Sequence, residues 1–118
     1  MASAAPDLRA DCVRHLVTHA AQANGVADEC QASLDLEALV AHLDEQAWSI
    51  REAADTGHAT EGEYDTAFRR ARAAGSWMIA SRDTSLSGSA SATYEALHAL
   101  CLSEDAVLDL LRACADHP

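Results

Sequence analysis

Residues 34–56, LDLEALVAHLDEQAWSIREAADT, and residues 60–82, TEGEYDTAFRRARAAGSWMIASR, decide the fold. In each stretch, apolar or small residues recur at alternating steps of four and three, the spacing of one continuous helix face. The first face is formed by Leu36, Val40, Leu43, Ala47, Ile50 and Ala54, and the second by Tyr64, Phe68, Ala71, Gly75 and Met78. The pattern predicts two long amphipathic helices.

The sequence also predicts where the first of these helices ends and where the second begins. Gly57 supplies a helix stop, and Thr60 with Glu63 three residues later forms a capping box for the next helix. Such a short turn predicts an antiparallel helical hairpin. Gly75 inside the second helix costs about 1 kcal/mol relative to alanine, so we expect a close helix crossing at that residue.

Outward from the hairpin, three more helices are predicted, over residues 6–23, 92–102 and 103–115. Pro6 suits a first helical position, and Asn24-Gly25 supplies a stop. Residues 26–33 form a connection with room for one helical turn at 28–31, and the Ser/Gly-rich residues 83–91 are expected to be a flexible connector. The predicted fold is a single all-α domain over residues 1–118, a compact four-to-five-helix bundle around a central hairpin.

Composition supports this prediction. The chain holds 27 alanines and 13 leucines but only five Phe, Trp and Tyr residues together. Alanine and leucine are strong helix formers, and β-branched residues are too few to favour a sheet.

The charge balance argues against nucleic acid as a partner. The chain has eight arginines, no lysine and 19 acidic residues, for a net charge of −11. Nucleic-acid binding needs cations that displace counterions from phosphates, and here the summed field repels them. We therefore expect no nucleic-acid partner; the acidity suits a basic protein partner or simple solubility.

The sequence also gives expectations about compartment. It has no apolar run of 18 residues, and residues 1–6 lack the basic start and apolar stretch of a signal peptide. Without such a signal, the four cysteines are interpreted as reduced thiols. These features predict a cytoplasmic protein with no membrane association.

One polar cluster could carry chemistry. Asp11, His15 and His19 stand at i, i+4 and i+8 of the first predicted helix, with Cys12 beside them. Two imidazoles four residues apart can share a zinc, nickel or iron ion, and Asp11 could be a third ligand. Two more His/Cys pairs have a three-residue spacing, His98–Cys101 and Cys114–His117. If the first and last predicted helices pack together, Cys114 and His117 could converge with Cys12 and His15. The alternative is that these are structural histidines and cysteines at the edge of the core.

The two tryptophans are a second feature that could indicate a functional site. On a helical wheel, Trp48 lies off the Leu36–Ala54 face and Trp77 lies nearly opposite the Tyr64–Met78 face. Large aromatic residues outside the apolar stripe are candidates for a partner surface or a ligand groove. The alternative is that other helices cover both indoles.

Two functional hypotheses follow. The first is a small acidic binding or regulatory protein (an inhibitor, immunity-type or accessory factor) that docks a basic protein. Its predicted surface consists of Trp48, Trp77, Glu37, Asp44, Glu45 and Glu52. The second is a metal-binding or small-molecule-processing bundle that uses Asp11, Cys12, His15 and His19. No catalytic residue is assigned, and an exposed tryptophan also fits a homodimer seam.

Overall fold

The computed structural model describes residues 4–100 and Arg112, with side chains from Leu8 onward. The helices are α1 (Ala4–Ala23), α2 (Ala27–Ala32), α3 (Leu36–Asp55), α4 (Glu61–Arg82) and α5 (Leu86–Leu100). No strand occurs among the described residues, so the prediction of an all-α bundle is confirmed. None of these helices combines the length and apolar character needed to cross a membrane.

The α4 helix lies at the centre, and α1, α3 and α5 all pack against it. An ion pair between Arg72 at mid-α4 and Asp44 at mid-α3, with Arg51 and Glu61 paired near the turn, fixes α3 and α4 as an antiparallel hairpin. Arg9 of α1 donates to the Thr84 carbonyl oxygen. Asn24, just after α1, donates to the carbonyl oxygen of Ala99 at the far end of α5. These contacts set α1 parallel to α5.

The core is built largely from alanine. Fully buried positions include Ala20, Ala21, Ala73, Ala74, Ala92 and Ala96, and the largest fully buried side chains are Leu16, Val26 and Ser76. The Ser76 hydroxyl donates to the Ala73 carbonyl oxygen at 2.8 Å, so this buried polar group is satisfied. Small side chains let the helix axes approach closely, which explains how a chain with so few aromatic residues fills a core.

The predicted cap at Thr60 and helix stop at Gly57 are present, and α3 has a further cap at Asp35 that is not among the predictions. The Thr60 hydroxyl accepts from the Glu63 amide at 3.0 Å and also contacts the Glu63 carboxylate at 3.3 Å. Asp35 caps α3 by accepting from the Ala38 amide. Gly57 has φ +77°, the left-handed conformation that glycine adopts at helix ends.

The prediction of a flexible connector over residues 83–91 is wrong, because α5 begins at Leu86. The Asp83 carboxylate accepts from the Ser85 amide, and the Ser85 hydroxyl accepts from the Gly88 amide at 3.1 Å. Hydrogen bonds from Ser85, first from its side chain and then from its backbone, lower the pKa of the Asp83 carboxyl. Ser85 therefore acts as an N-cap, and the connector shrinks to residues 83–85.

Two further predictions concern residues 28–31 and residues 103–115, and their outcomes differ. The suspected turn at 28–31 is the six-residue helix α2. The predicted helix over residues 103–115 lies outside the described residues, except for Arg112, which is helical.

Gly75 is buried, but the expected close crossing does not require glycine. A Cβ added to this residue would meet nothing closer than the Glu95 carboxylate, at 3.9 Å. That distance is an ordinary van der Waals contact. The glycine therefore lowers helix propensity without a steric need.

Arg72 ties three helices together. Its guanidinium donates to Asp44 of α3 at 2.5 Å and to Glu95 of α5 at 2.8 Å. It also lies 5.6 Å from the centre of the Phe68 ring. This fork fixes the rotation of α3 on α4, and therefore determines which residues α3 turns outward.

Candidate functional site

Trp48 is the large exposed aromatic of α3, with 67% of its surface accessible. Its exposure follows from the packing of α3, which contacts α4 and makes only marginal contact with the other described helices. Leu43 and Ala47 are the α3 residues that become buried. Trp48 lies about 100° further round the helix from Ala47, so no described helix covers it.

Acidic side chains flank this indole. Ala41, Glu45, Trp48 and Glu52 follow one another at steps of four, three and four, so they share one face of the helix. All four are exposed. We call these four residues the outer face of α3. Neither Glu45 nor Glu52 forms an ion pair with the described part of the chain.

The other predicted acidic residues have a different role. Asp44 is held by Arg72, and Glu37 lies 3.8 Å from Arg82 near the far end of the hairpin. Both pairs join α3 to α4. The structure therefore separates the predicted surface into an inner row, which fixes the helix pair, and the outer face, whose side chains form no ion pair with the described residues.

A shallow depression adjoins the outer face and was not predicted. It is lined by His42, Glu45, Gln46, Ser49, Ile50 and Arg70 and holds about 560 Å³. Glu45 belongs to both features. Arg70 comes from α4 and also contacts Glu29 of α2, so the depression depends on tertiary packing that a wheel of α3 alone does not reveal.

Trp77 does not join Trp48. It is half-buried against the core and lines a groove of about 180 Å³ beside Val13 and Val17 of α1. It thus faces α1, whereas Trp48 stands on α3. For Trp77, the structure agrees with the alternative interpretation, because another helix partly covers the indole.

The histidine cluster of α1 lies on the surface. Asp11, His15 and His19 are exposed, and Asp11 pairs with Arg14 at 2.8 Å. Cys12 is buried. Within residues 4–100, no three His, Cys, Asp or Glu side chains are grouped to hold a metal ion. Because Cys101, Cys114 and His117 lie outside the described residues, metal binding stays a prediction.

Cys30 is unsuited to nucleophilic chemistry. It is buried in the core, with 3% of its surface exposed. Burial first, and then the neighbouring Glu29 charge, raise the pKa of this thiol to about 11. Since the thiolate is the reactive form, Cys30 is a core residue.

Comparisons with protein-family models, curated proteins and solved structures found no match.

Proposed function

We propose that this protein is a small acidic binding or regulatory protein that docks a basic protein partner on the outer face of α3. The single observation that carries the proposal is the exposed Trp48 between two carboxylates that form no ion pair with the described residues. An indole on a helix surface offers a large rigid contact area, and tryptophan is enriched among residues that dominate binding energy.

The charges around Trp48 supply the second part of the recognition. Glu45 precedes it by three residues and Glu52 follows it by four, so the carboxylates lie on both sides of the indole. Arginine or lysine side chains of a partner would pair with them at the rim while the indole is buried. Complementary charge of this kind mainly accelerates association, and the buried aromatic slows dissociation.

The same charges argue against a homodimer through this face. A two-fold contact would bring Glu45 and Glu52 of one copy close to those of the second copy. Like charges at such a contact repel, and a chain of net charge −11 adds to the repulsion. A basic partner fits the outer face better than a second copy does.

The test compares two exposed aromatic residues. Tyr94 on α5 is 59% exposed and lies outside the outer face, so Tyr94→Ala is a matched control for Trp48→Ala. Proteins that bind immobilised wild-type chain from its native cell extract would be identified, purified and titrated against each variant. We expect Trp48→Ala to weaken binding at least about ten-fold and Tyr94→Ala to leave it unchanged.

Salt and charge variants separate the two contributions. Glu45→Gln should lower the association rate and flatten its salt dependence, whereas Asp28→Asn, an exposed acid on α2, should not. If no partner distinguishes Trp48→Ala from Tyr94→Ala, or if salt has no effect on association, the proposal is wrong.

A further inference from the structure

The exposed side of α5 combines large apolar side chains with an absence of formal charge. Among the described helices, only α5 has two exposed large hydrophobic residues, Leu86 at 68% and Tyr94 at 59%. The exposed residues of α5 are Leu86, Ser87, Ala90, Ser91, Tyr94 and His98, and none of them is Asp, Glu, Lys or Arg. We call these six residues the uncharged face of α5.

The nearest carboxylates lie toward the other side of the helix. Glu95, the one acidic residue of α5, pairs with Arg72 of α4 at 2.8 Å, and its side chain is only 20% exposed. Asp83, just before the helix, lies against Gly88, which is buried. Both acids are therefore directed toward the packed side of α5, and the uncharged face stays free of their charge.

The apolar residues of this face form a symmetric pattern. Leu86, Ala90 and Tyr94 are four residues apart, so they follow one line along the helix. Each four-residue step advances about 6 Å. If a second copy lays its α5 antiparallel across Ala90, each Leu86 meets the second copy's Tyr94 and the two alanines meet at the axis. A two-fold contact needs such a self-complementary pattern, and the small central residue lets the helix axes approach.

The net charge of −11 favours a second copy over other occupants of this face. Two copies repel each other, so they can associate only where the contact brings no like charges together. The uncharged face of α5 meets this condition, whereas a contact through α3 would bring Glu45 and Glu52 of both copies together. A basic partner would find no carboxylate on the uncharged face to pair with, so it gains nothing there.

We propose that two copies of this chain pair through the uncharged face of α5, antiparallel about a two-fold axis at Ala90. The Tyr94 ring already rests on the His98 ring, with 4.4 Å between centroids, which reduces the cost of ordering it in the contact. A contact along one helix is smaller than the roughly 800 Å² per partner of a standard interface. We therefore expect a weak dimer, with a dissociation constant of roughly 10–100 µM.

The dimer would leave the outer face of α3 open in each copy. Both α3 and α5 pack on α4, and they make only marginal contact with each other. Loss of the dimer should therefore leave the affinity of each α3 surface for its own partner unchanged, so the two proposals can fail separately.

Sedimentation equilibrium of the full chain, from about 1 µM to about 500 µM, measures the self-association. Ala90→Glu places two carboxylates at the proposed axis and should weaken the dimer at least about ten-fold. Ala38→Glu is the matched control, because it makes the same change at an exposed alanine near the start of α3, and it should leave the dimer unchanged.

Ionic strength gives a second readout. Raising NaCl from about 50 mM to about 500 mM screens the repulsion between the two acidic copies, so the wild-type dimer should tighten. Attraction between the outer face of α3 and a basic partner should weaken under the same change. Self-association that weakens with salt would contradict a contact through the uncharged face.

Urea unfolding at a concentration where the wild type is monomeric checks the fold of both variants. Neither should lower the urea midpoint, because glutamate is nearly as good a helix former as alanine. A wild type that stays monomeric throughout, or equal weakening by Ala90→Glu and Ala38→Glu, would overturn the proposal. A lower midpoint for Ala90→Glu alone would show that the chain itself covers this face, which would overturn it equally.

Discussion

Replacing Gly88 by alanine should destabilise the fold, although the same change at Gly75 should stabilise it. Both glycines are buried within helices, so alanine gains about 1 kcal/mol of helix propensity at either position. The difference is steric. A Cβ on Gly88 would overlap the carbonyl oxygen and the side chain of Asp83, whereas one on Gly75 meets nothing closer than 3.9 Å.

The cost at Gly88 follows from what must move. Asp83 is held by its amide, which donates to the Ile79 carbonyl oxygen, and by its carboxylate, which accepts from Ser85. Relieving the clash shifts this turn and strains the Ser85 cap on the Gly88 amide. Overpacking costs about 1–3 kcal/mol, and loss of a cap adds about 1 kcal/mol. After the propensity gain, the net loss is about 1–3 kcal/mol.

Urea unfolding followed by circular dichroism measures both variants against the wild type. We expect Gly75→Ala to raise the free energy of unfolding by about 0.5–1 kcal/mol, with an unchanged dependence on urea. We expect Gly88→Ala to lower it. Equal stabilisation by both substitutions would refute the steric account of the α4–α5 turn.

The remaining predictions concern charge. Arg72→Met should lower the free energy of unfolding by about 1–3 kcal/mol, because Glu95 and Asp44 both lose their partner; the partial exposure of these groups keeps the loss below that of a fully buried pair. Adding Glu95→Gln to Arg72→Met should recover part of that loss in a double-mutant cycle, and strict additivity of the two changes would contradict the coupling. For Cys30, the folded pKa of about 11 lies above the ordinary 9.0, so the unfolded chain loses its thiol proton first as the pH rises. Stability should then fall between about pH 9 and pH 11, by at most about 1.4 kcal/mol per pH unit, and Cys30→Ala should remove this component from thermal melts; an identical pH profile in the variant would contradict the assignment.

The hairpin could be predicted from sequence because every signal for it is local. Thr60 and Glu63 are three residues apart, and the face from Leu36 to Ala54 lies within one helix. The start of α5 was missed because serine and glycine are common in linkers, yet Ser85 and Gly88 are also spaced as a cap and its N3 amide. At this position the composition predicts a linker, whereas the cap spacing predicts the start of a helix. The structure agrees with the cap spacing.

The different exposure of the two tryptophans could not be predicted from the sequence. Both lie off an apolar face, and the wheel cannot tell whether a neighbouring helix covers them. Trp77 is half-buried because α4 is central and uses a second face against α1. Trp48 is exposed because α3 packs mainly against one helix. That difference depends on the tertiary arrangement, which the hydrophobic period alone does not encode.

The use of arginine connects the fold to the proposed surface. Arg14, Arg51, Arg69, Arg70, Arg72 and Arg82 all form ion pairs with acidic side chains. Three of these residues, Arg51, Arg72 and Arg82, bridge α3 to α4, so much of the positive charge serves to position the helices. The acidic residues outnumber the arginines 19 to eight, and the excess must therefore remain without a cation. On α3 that excess includes Glu45 and Glu52, on either side of an uncovered indole. The same charges that set the register of the hairpin thus leave its outer face negative, which is the reason for proposing a basic partner there.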